Sequence, residues 1–185
     1  MPIKGKLMRL AVMGAAMLAG AALGTPAAHA ADVPPAPALK PLSMFSGAWN
    51  CSGAATGPDG SRTEFKTSVT VDFIYGGNFQ RWQEVSSIAG TPVGTAEYTW
   101  GWDARHHRFT VDSIDSFGHH AVQTAPAWSG NSFVIKGTLS QPDGSSIPSR
   151  VTFTKTSAST FTVKDVVWLG AKRTKPAVSE SSCTR

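Results

Sequence analysis

The chain has 185 residues and a mass of 19.5 kDa, with 17 Lys and Arg against 12 Asp and Glu and a formal charge of +5. That length predicts a single domain. With 16% charged and 41% hydrophobic residues, the composition excludes both a disordered tail and a membrane-spanning bundle.

The first thirty residues stand apart from the rest. Lys4, Lys6 and Arg9 precede an uninterrupted run of Ala, Gly, Leu, Met and Val from Leu10 to Gly24, which Thr25-Pro26 breaks. Ala28-His29-Ala30 then places small residues at the −3 and −1 positions of a cleavage site. This order predicts a secretory signal over residues 1–30, cleaved after Ala30, and hence a periplasmic or secreted protein. The apolar run is shorter than the roughly 18 residues a spanning helix needs, so no stable membrane insertion is expected. Lys4, Lys6 and Arg9 leave with the signal, and the remaining 155 residues carry 14 basic and 12 acidic side chains. The sole basic cluster is then Lys172, Arg173 and Lys175, so nucleic acid is not an expected partner.

Export also fixes the expected redox compartment. Cys51 and Cys183 are the two cysteines, and an even pair in an oxidising space predicts a disulfide. The bond closes a loop of about 130 residues, for which chain entropy supplies roughly 4–5 kcal/mol before strain.

Ala31 to Pro41 contains Pro34, Pro35, Pro37 and Pro41 and reads as an extended leader outside the core, leaving residues 42–185 as the domain. One short helical turn is expected at Leu42 to Phe45. Beyond it the pattern has period two. Phe65, Val69, Val71 and Phe73 share one phase, and Phe79, Arg81, Gln83 and Val85 share another against Gln80, Trp82, Glu84 and Ser86. Tyr98, Trp100 and Trp102 follow, then Phe109 with Val111, Phe133 with Ile135 and Leu139, Val151 with Phe153, and Phe161, Val163, Asp165 and Val167.

The punctuation agrees with the pattern. Pro58-Asp59-Gly60-Ser61 and Pro142-Asp143-Gly144-Ser145 are nearly the same turn. Gly76-Gly77-Asn78, Asp103 to His107, Ser116-Phe117-Gly118 and Ser129-Gly130-Asn131 supply further corners. The count is nine or ten antiparallel strands joined in order, an all-β meander. Closure removes the edges of such a meander, and a barrel of about eight to ten strands can hold side chains or one small ligand. A two-sheet sandwich is the alternative architecture.

Leu42-Ser43-Met44-Phe45-Ser46-Gly47-Ala48-Trp49 resembles the opening of a calycin-type barrel, where Leu and Phe precede Gly-x-Trp and the Trp plugs the closed end. With Gly76-Gly77-Asn78-Phe79 and Glu97-Tyr98-Thr99-Trp100-Gly101-Trp102-Asp103 following in order, the chain resembles the DUF1579 family of lipocalin-like bacterial proteins over most of residues 42–168. The resemblance implies a calycin-like, lipocalin-like barrel with an apolar interior, and carries no activity with it. In outline the chain is also similar to the haem-binding nitrobindin barrels, which hold a proximal His near the C-terminal end. No His follows His120 here, so no haem or other cofactor is expected.

Catalytic and metal chemistry find little support in the residues. His106, His107, His119 and His120 form two adjacent pairs, and neighbours in a strand point to opposite faces. The pairs are expected at opposite ends of one strand, as polar turn residues rather than metal ligands. No Gly-x-Ser-x-Gly elbow occurs, and Glu84 and Glu97 are expected in solvent. No catalytic residue is assigned. The aromatics carry the functional signal: six Trp, nine Phe and two Tyr exceed what turns need. In one reading they simply fill the barrel. In the other, Tyr98, Trp100 and Trp102 with Arg81 and Gln83 line an open cavity for a small apolar or amphipathic molecule, while Trp49, Cys51 and Cys183 are structural. The expected function is therefore non-catalytic binding. Two alternatives are a barrel hydrolase or isomerase using an interior carboxylate or His, and a fully packed structural protein of the envelope.

Overall fold

The structure, a computed structural model, describes residues 34–169 and 176–185. The expected signal segment, its cleavage site after Ala30 and the cluster Lys172, Arg173 and Lys175 lie outside the described residues. Ten strands follow one another: β1 (Gly47–Thr56), β2 (Arg62–Ile74), β3 (Phe79–Ile88), β4 (Thr91–Asp103), β5 (Arg108–Asp115), β6 (His120–Ala125), β7 (Ser132–Ser140), β8 (Ser146–Lys155), β9 (Thr160–Val167) and β10 (Ala177–Thr184). Each pairs antiparallel with the next, and β10 returns to β1, so the sheet is a closed barrel without edges.

The turns form where the residues require them. In the β1–β2 turn Asp59 Oδ1 accepts from the Ser61 backbone N–H at 2.9 Å, and Asp143 Oδ1 accepts from that of Ser145 at 2.8 Å in the β7–β8 turn. Gly60 and Gly144 occupy the left-handed region at φ 87° and 82°, which completes the shared Pro-Asp-Gly-Ser chemistry. The histidine pairs stand at opposite ends of β5, His106 and His107 in the β4–β5 turn, His119 in the β5–β6 turn and His120 at the start of β6. Asp103 accepts from the His106 backbone and lies 2.6 Å from its Nδ1, and Asp115 does the same for His119 at 2.7 Å.

A 3₁₀ helix over Pro37–Phe45 closes one end of the barrel. It starts before the expected end of the leader at Pro41, and this corrects the placement of that segment outside the core. Proline is pre-organised for the first helical positions, and Pro37 stands there. At three residues per turn, Leu39, Leu42 and Phe45 fall on one face, and all three are fully buried. The Phe45 ring packs against Trp82, Trp100, Trp128, Phe153 and Phe161 with centroids 4.9 to 6.3 Å away. Two buried hydrogen bonds fasten the helix to the wall: Trp49 Nε1 donates to the Phe45 carbonyl at 2.6 Å, and Gln80 Nε2 donates to the Leu42 carbonyl at 2.8 Å. Outside, Arg185 donates to the carbonyls of Met44 and Ser46 and lies 4.3 Å over the Trp49 ring.

Closure between first and last strands is the step on which the barrel depends. Cys51 faces Cys183 in the β1–β10 register and the two form a disulfide, so the covalent staple sits on the seam. Two registers farther, Gly53 faces Ser181. A Cβ on Gly53 would overlap the Glu180 carbonyl oxygen and the Ser181 backbone, so the two strands approach this closely because Gly53 has none.

Candidate functional site

The phase of β3 decides what faces the interior. Gln80 and Trp82 are almost wholly buried, whereas Phe79, Gln83 and Val85 are exposed. Trp82 Nε1 donates to Gln80 Oε1 at 2.9 Å, so the amide that holds the helix also orients the indole. The inward set is therefore Gln80, Trp82, Glu84 and Ser86, and the expectation that Glu84 lies in solvent is corrected. Its register partners are Val69 on β2 and Ala96 on β4, and the alternation that buries Trp82 carries Glu84 to the same face two residues later.

Between this wall and β8–β10 lies a cavity of about 350 Å³. Trp82, Trp100, Phe153 and Phe161 form its floor above the closing helix, together with the Cys51–Cys183 bridge. Val69, Val111, Ile135, Val151 and Val163 continue the apolar wall, and Ile88 and Val93 stand exposed at the rim. The indoles of Trp82 and Trp100 stack at 5.1 Å with 9° between their planes, and Phe153 meets both edge-on.

Against this apolar lining stand a few polar groups. Thr67 and Ser86 share a hydrogen bond at 3.0 Å, and Gln123 donates to Ser149 at 2.6 Å. Glu84 and Asp165 are different, because both are carboxylates. Tyr98 Oη donates to Glu84 Oε2 at 3.4 Å, while Asp165 Oδ1 is buried and accepts no hydrogen bond among the described residues. Burial pushes the Glu84 carboxyl up to about 7, with the nearby Asp165 adding to the rise and Tyr98 opposing it. Burial likewise raises Asp165 to about 6, against a backbone hydrogen bond from Val166. Tyr98 is held well above the ordinary phenol range, first by the Glu84 charge and then by burial, so it remains a hydrogen-bond donor. Trp100 Nε1 is also buried without a hydrogen-bond partner among the described residues.

The residues singled out from the sequence divide into two groups. Tyr98 and Trp100 line the cavity. Trp102 lies beyond its floor, packed edge-on against Phe109 at 5.0 Å near the closed end. Arg81 and Gln83 are carried to the outer wall by the phase of β3. Arg81 makes a two-pronged ion pair with Asp72, at 3.2 Å through Nε and 3.0 Å through Nη2, and Gln83 donates to Glu97 at 3.3 Å. Trp49, Cys51 and Cys183 stand in the plug and the seam.

A family model described as "Protein of unknown function (DUF1579)" matches residues 35–174. The chain belongs to the DUF1579 family. Two solved structures share its fold. Rv2717c from M. tuberculosis is 13% identical, with 82% of this chain and 98% of that chain covered and a TM-score of 0.64. The S-type phycobiliprotein lyase CPES from Guillardia theta is 9% identical, with 78% and 89% covered and a TM-score of 0.52. No curated protein sequence matches the chain.

What sequence reasoning missed in this DUF1579 barrel is the carboxylate pair. Asp165 was legible on the inward phase with Phe161 and Val163, and Glu84 would have followed from placing Trp82 inside. Among the described residues no three His, Cys, Asp or Glu side chains cluster as a metal site, and no helix is long and apolar enough to cross a membrane.

Proposed function

We propose that this protein is an exported barrel that takes up one small apolar or amphipathic molecule and performs no chemistry on it. The observation that carries the reading is the 350 Å³ cavity, whose aromatic and aliphatic walls surround a small set of polar groups. Its volume lies within the range of small-molecule sites, and its composition is the one such sites use. Tyr98 and Trp100 are the residues assigned from the sequence that we place against the ligand, with Trp82, Phe153, Glu84 and Asp165 joining them. Export rests on the signal segment at residues 1–30, and the disulfide supports it because such bonds persist in oxidising compartments. Native mass spectrometry of protein purified without denaturation tests the reading. A retained small molecule, or one apolar compound taken up per chain from a panel, is expected; a chain that retains and takes up nothing overturns it.

A second reading is favoured by one observation, the two interior carboxylates with raised protonation ranges. A hydrolase or isomerase would use one as base and the other as acid. Turnover of ester or enone panels that disappears in Glu84→Gln and Asp165→Asn would establish it in place of simple binding. A fully packed structural barrel is the reading against which the cavity argues.

A further inference from the structure

We propose that the molecule this barrel prefers is a lipophilic cation, an amine or quaternary ammonium whose charged head meets Glu84 and Asp165 and whose apolar body lies against Trp82, Trp100 and Phe153. This inference rests on the ligand-cavity reading above and names the class of its ligand.

Charge is the first argument. Among the described residues two carboxylates line the cavity and no Lys, Arg or His does. Glu84 is faced by Tyr98 from β4 and by Asp165 from β9, while its β2 neighbours Thr67 and Val69 are neutral. Asp165 stands between Val151 of β8 and Ser179 of β10, also neutral. Asp115 of β5 adds a further negative charge to the surroundings of Tyr98, and its Oδ2 lies 2.7 Å from His119 Nδ1 in the β5–β6 turn. The interior therefore has acidic groups and no internal counter-charge among the described residues. Carboxylates withdrawn from water without a partner are costly, and the usual resolutions are a counter-ion or a proton.

The second argument is an unmet hydrogen bond. Asp165 Oδ1 is buried and accepts no hydrogen bond among the described residues. An ammonium N–H, or the polarised methyls of a quaternary head, supplies what this oxygen lacks. The third argument is the aromatic floor. Electron-rich indoles and a phenol stabilise a desolvated cation, and the same rings accept an alkyl body. An anionic amphiphile would gain the apolar contacts and lose to the like charge, which sets the direction of selectivity.

The test uses three probes of one chain length in the full protein: octyltrimethylammonium, 1-octanol and octanoate, titrated below their aggregation thresholds at pH 5 and pH 8 and followed by tryptophan fluorescence and calorimetry. At pH 8 the cation is expected to bind at least ten-fold more tightly than the alcohol, and octanoate more weakly than both. The cation's advantage is expected to shrink at pH 5, where Glu84 and Asp165 are protonated. In the double variant Glu84→Gln/Asp165→Asn the cation's advantage over octanol is expected to vanish. If octanol and octanoate bind and the cation has no advantage, or if the advantage survives in the double variant, the cation inference is overturned and the cavity reading stands. If none of the three binds, the cavity reading fails and the inference with it. The comparison of pH 5 with pH 8 needs no variant, so it holds whether or not the double variant folds.

Discussion

Tyr98 Oη and Glu84 Oε2 meet 3.4 Å apart inside the barrel, on adjacent strands whose register places Trp82 opposite Tyr98 and Glu84 opposite Ala96. A phenol kept protonated and a carboxylate raised to about 7 form a donor–acceptor pair in a mainly apolar wall. The pair gives the cavity a pH-dependent charge near neutrality.

Stability should therefore depend on pH through Glu84. Its folded-state value of about 7 lies above the ordinary 4.5, so the folded state keeps a proton that the unfolded chain releases. The contribution is most favourable below pH 4.5 and declines as the pH rises to about 7. In Glu84→Gln this decline should be removed, and stability at pH 8 should rise by about 1–3 kcal/mol relative to the parent. Urea denaturation at pH 5 and pH 8 checks it, and an unchanged difference between the two pH values would contradict it.

Gln80 adds hydrogen bonds to the ring packing that already joins Phe45 of the helix to Trp82. Its Nε2 holds the Leu42 carbonyl and its Oε1 holds the Trp82 indole, both in the core. Gln80→Leu leaves both groups unpaired and should cost about 2–4 kcal/mol, with a change in near-ultraviolet circular dichroism from the released Trp82. A loss of stability with an unaltered Trp signal would show that the bond does not orient the indole.

The disulfide on the β1–β10 seam should matter more than its burial alone suggests, because it closes the barrel across 132 residues of chain. Cys51→Ser/Cys183→Ser is expected to lose about 2–5 kcal/mol. Non-reducing alkylation followed by mass measurement should find no free thiol, and two free thiols would refute the bond.

Gly53 tests the same seam by steric means. Gly53→Val places branched carbon against the Glu180 carbonyl and should prevent close pairing of β1 with β10, lowering the melting temperature by several degrees or abolishing folding. Gly60→Ala is the control. Its φ of 87° carries a conformational cost with no atoms nearby, so its loss should be small by comparison.

Much of this architecture was readable because turns and strands announce themselves locally. Asp59-Gly60 and Asp143-Gly144 specify their turns whatever surrounds them, and the two cysteines had only one another to pair with. The phase of β3 was not readable in the same way. Phe79 and Val85 are exposed at 40% and 48%, while Gln80 is fully buried, so hydrophobicity points to the wrong face. Gln80 is inside because the helix and Trp82 satisfy its amide, and that partnership spans 38 residues of sequence. Of the closing helix only the turn at Leu42 to Phe45 was expected; its start was hidden by its prolines, since Leu39, Leu42 and Phe45 show their common face only at a period of three. Glu84 followed the same hidden phase. The pair with Asp165 exists only after β3 and β9 have been brought around one interior.

The central claim is that the barrel holds an accessible apolar cavity beside Trp82 and Trp100, and a fluorescence titration with a neutral apolar probe tests it most directly. Saturable quenching of the interior tryptophans by 1-octanol or a hydrophobic dye, at one site per chain and with displacement of one probe by the other, is the predicted result. No quenching and no dye uptake across an apolar panel, in protein shown to be folded and ligand-free, would contradict the account.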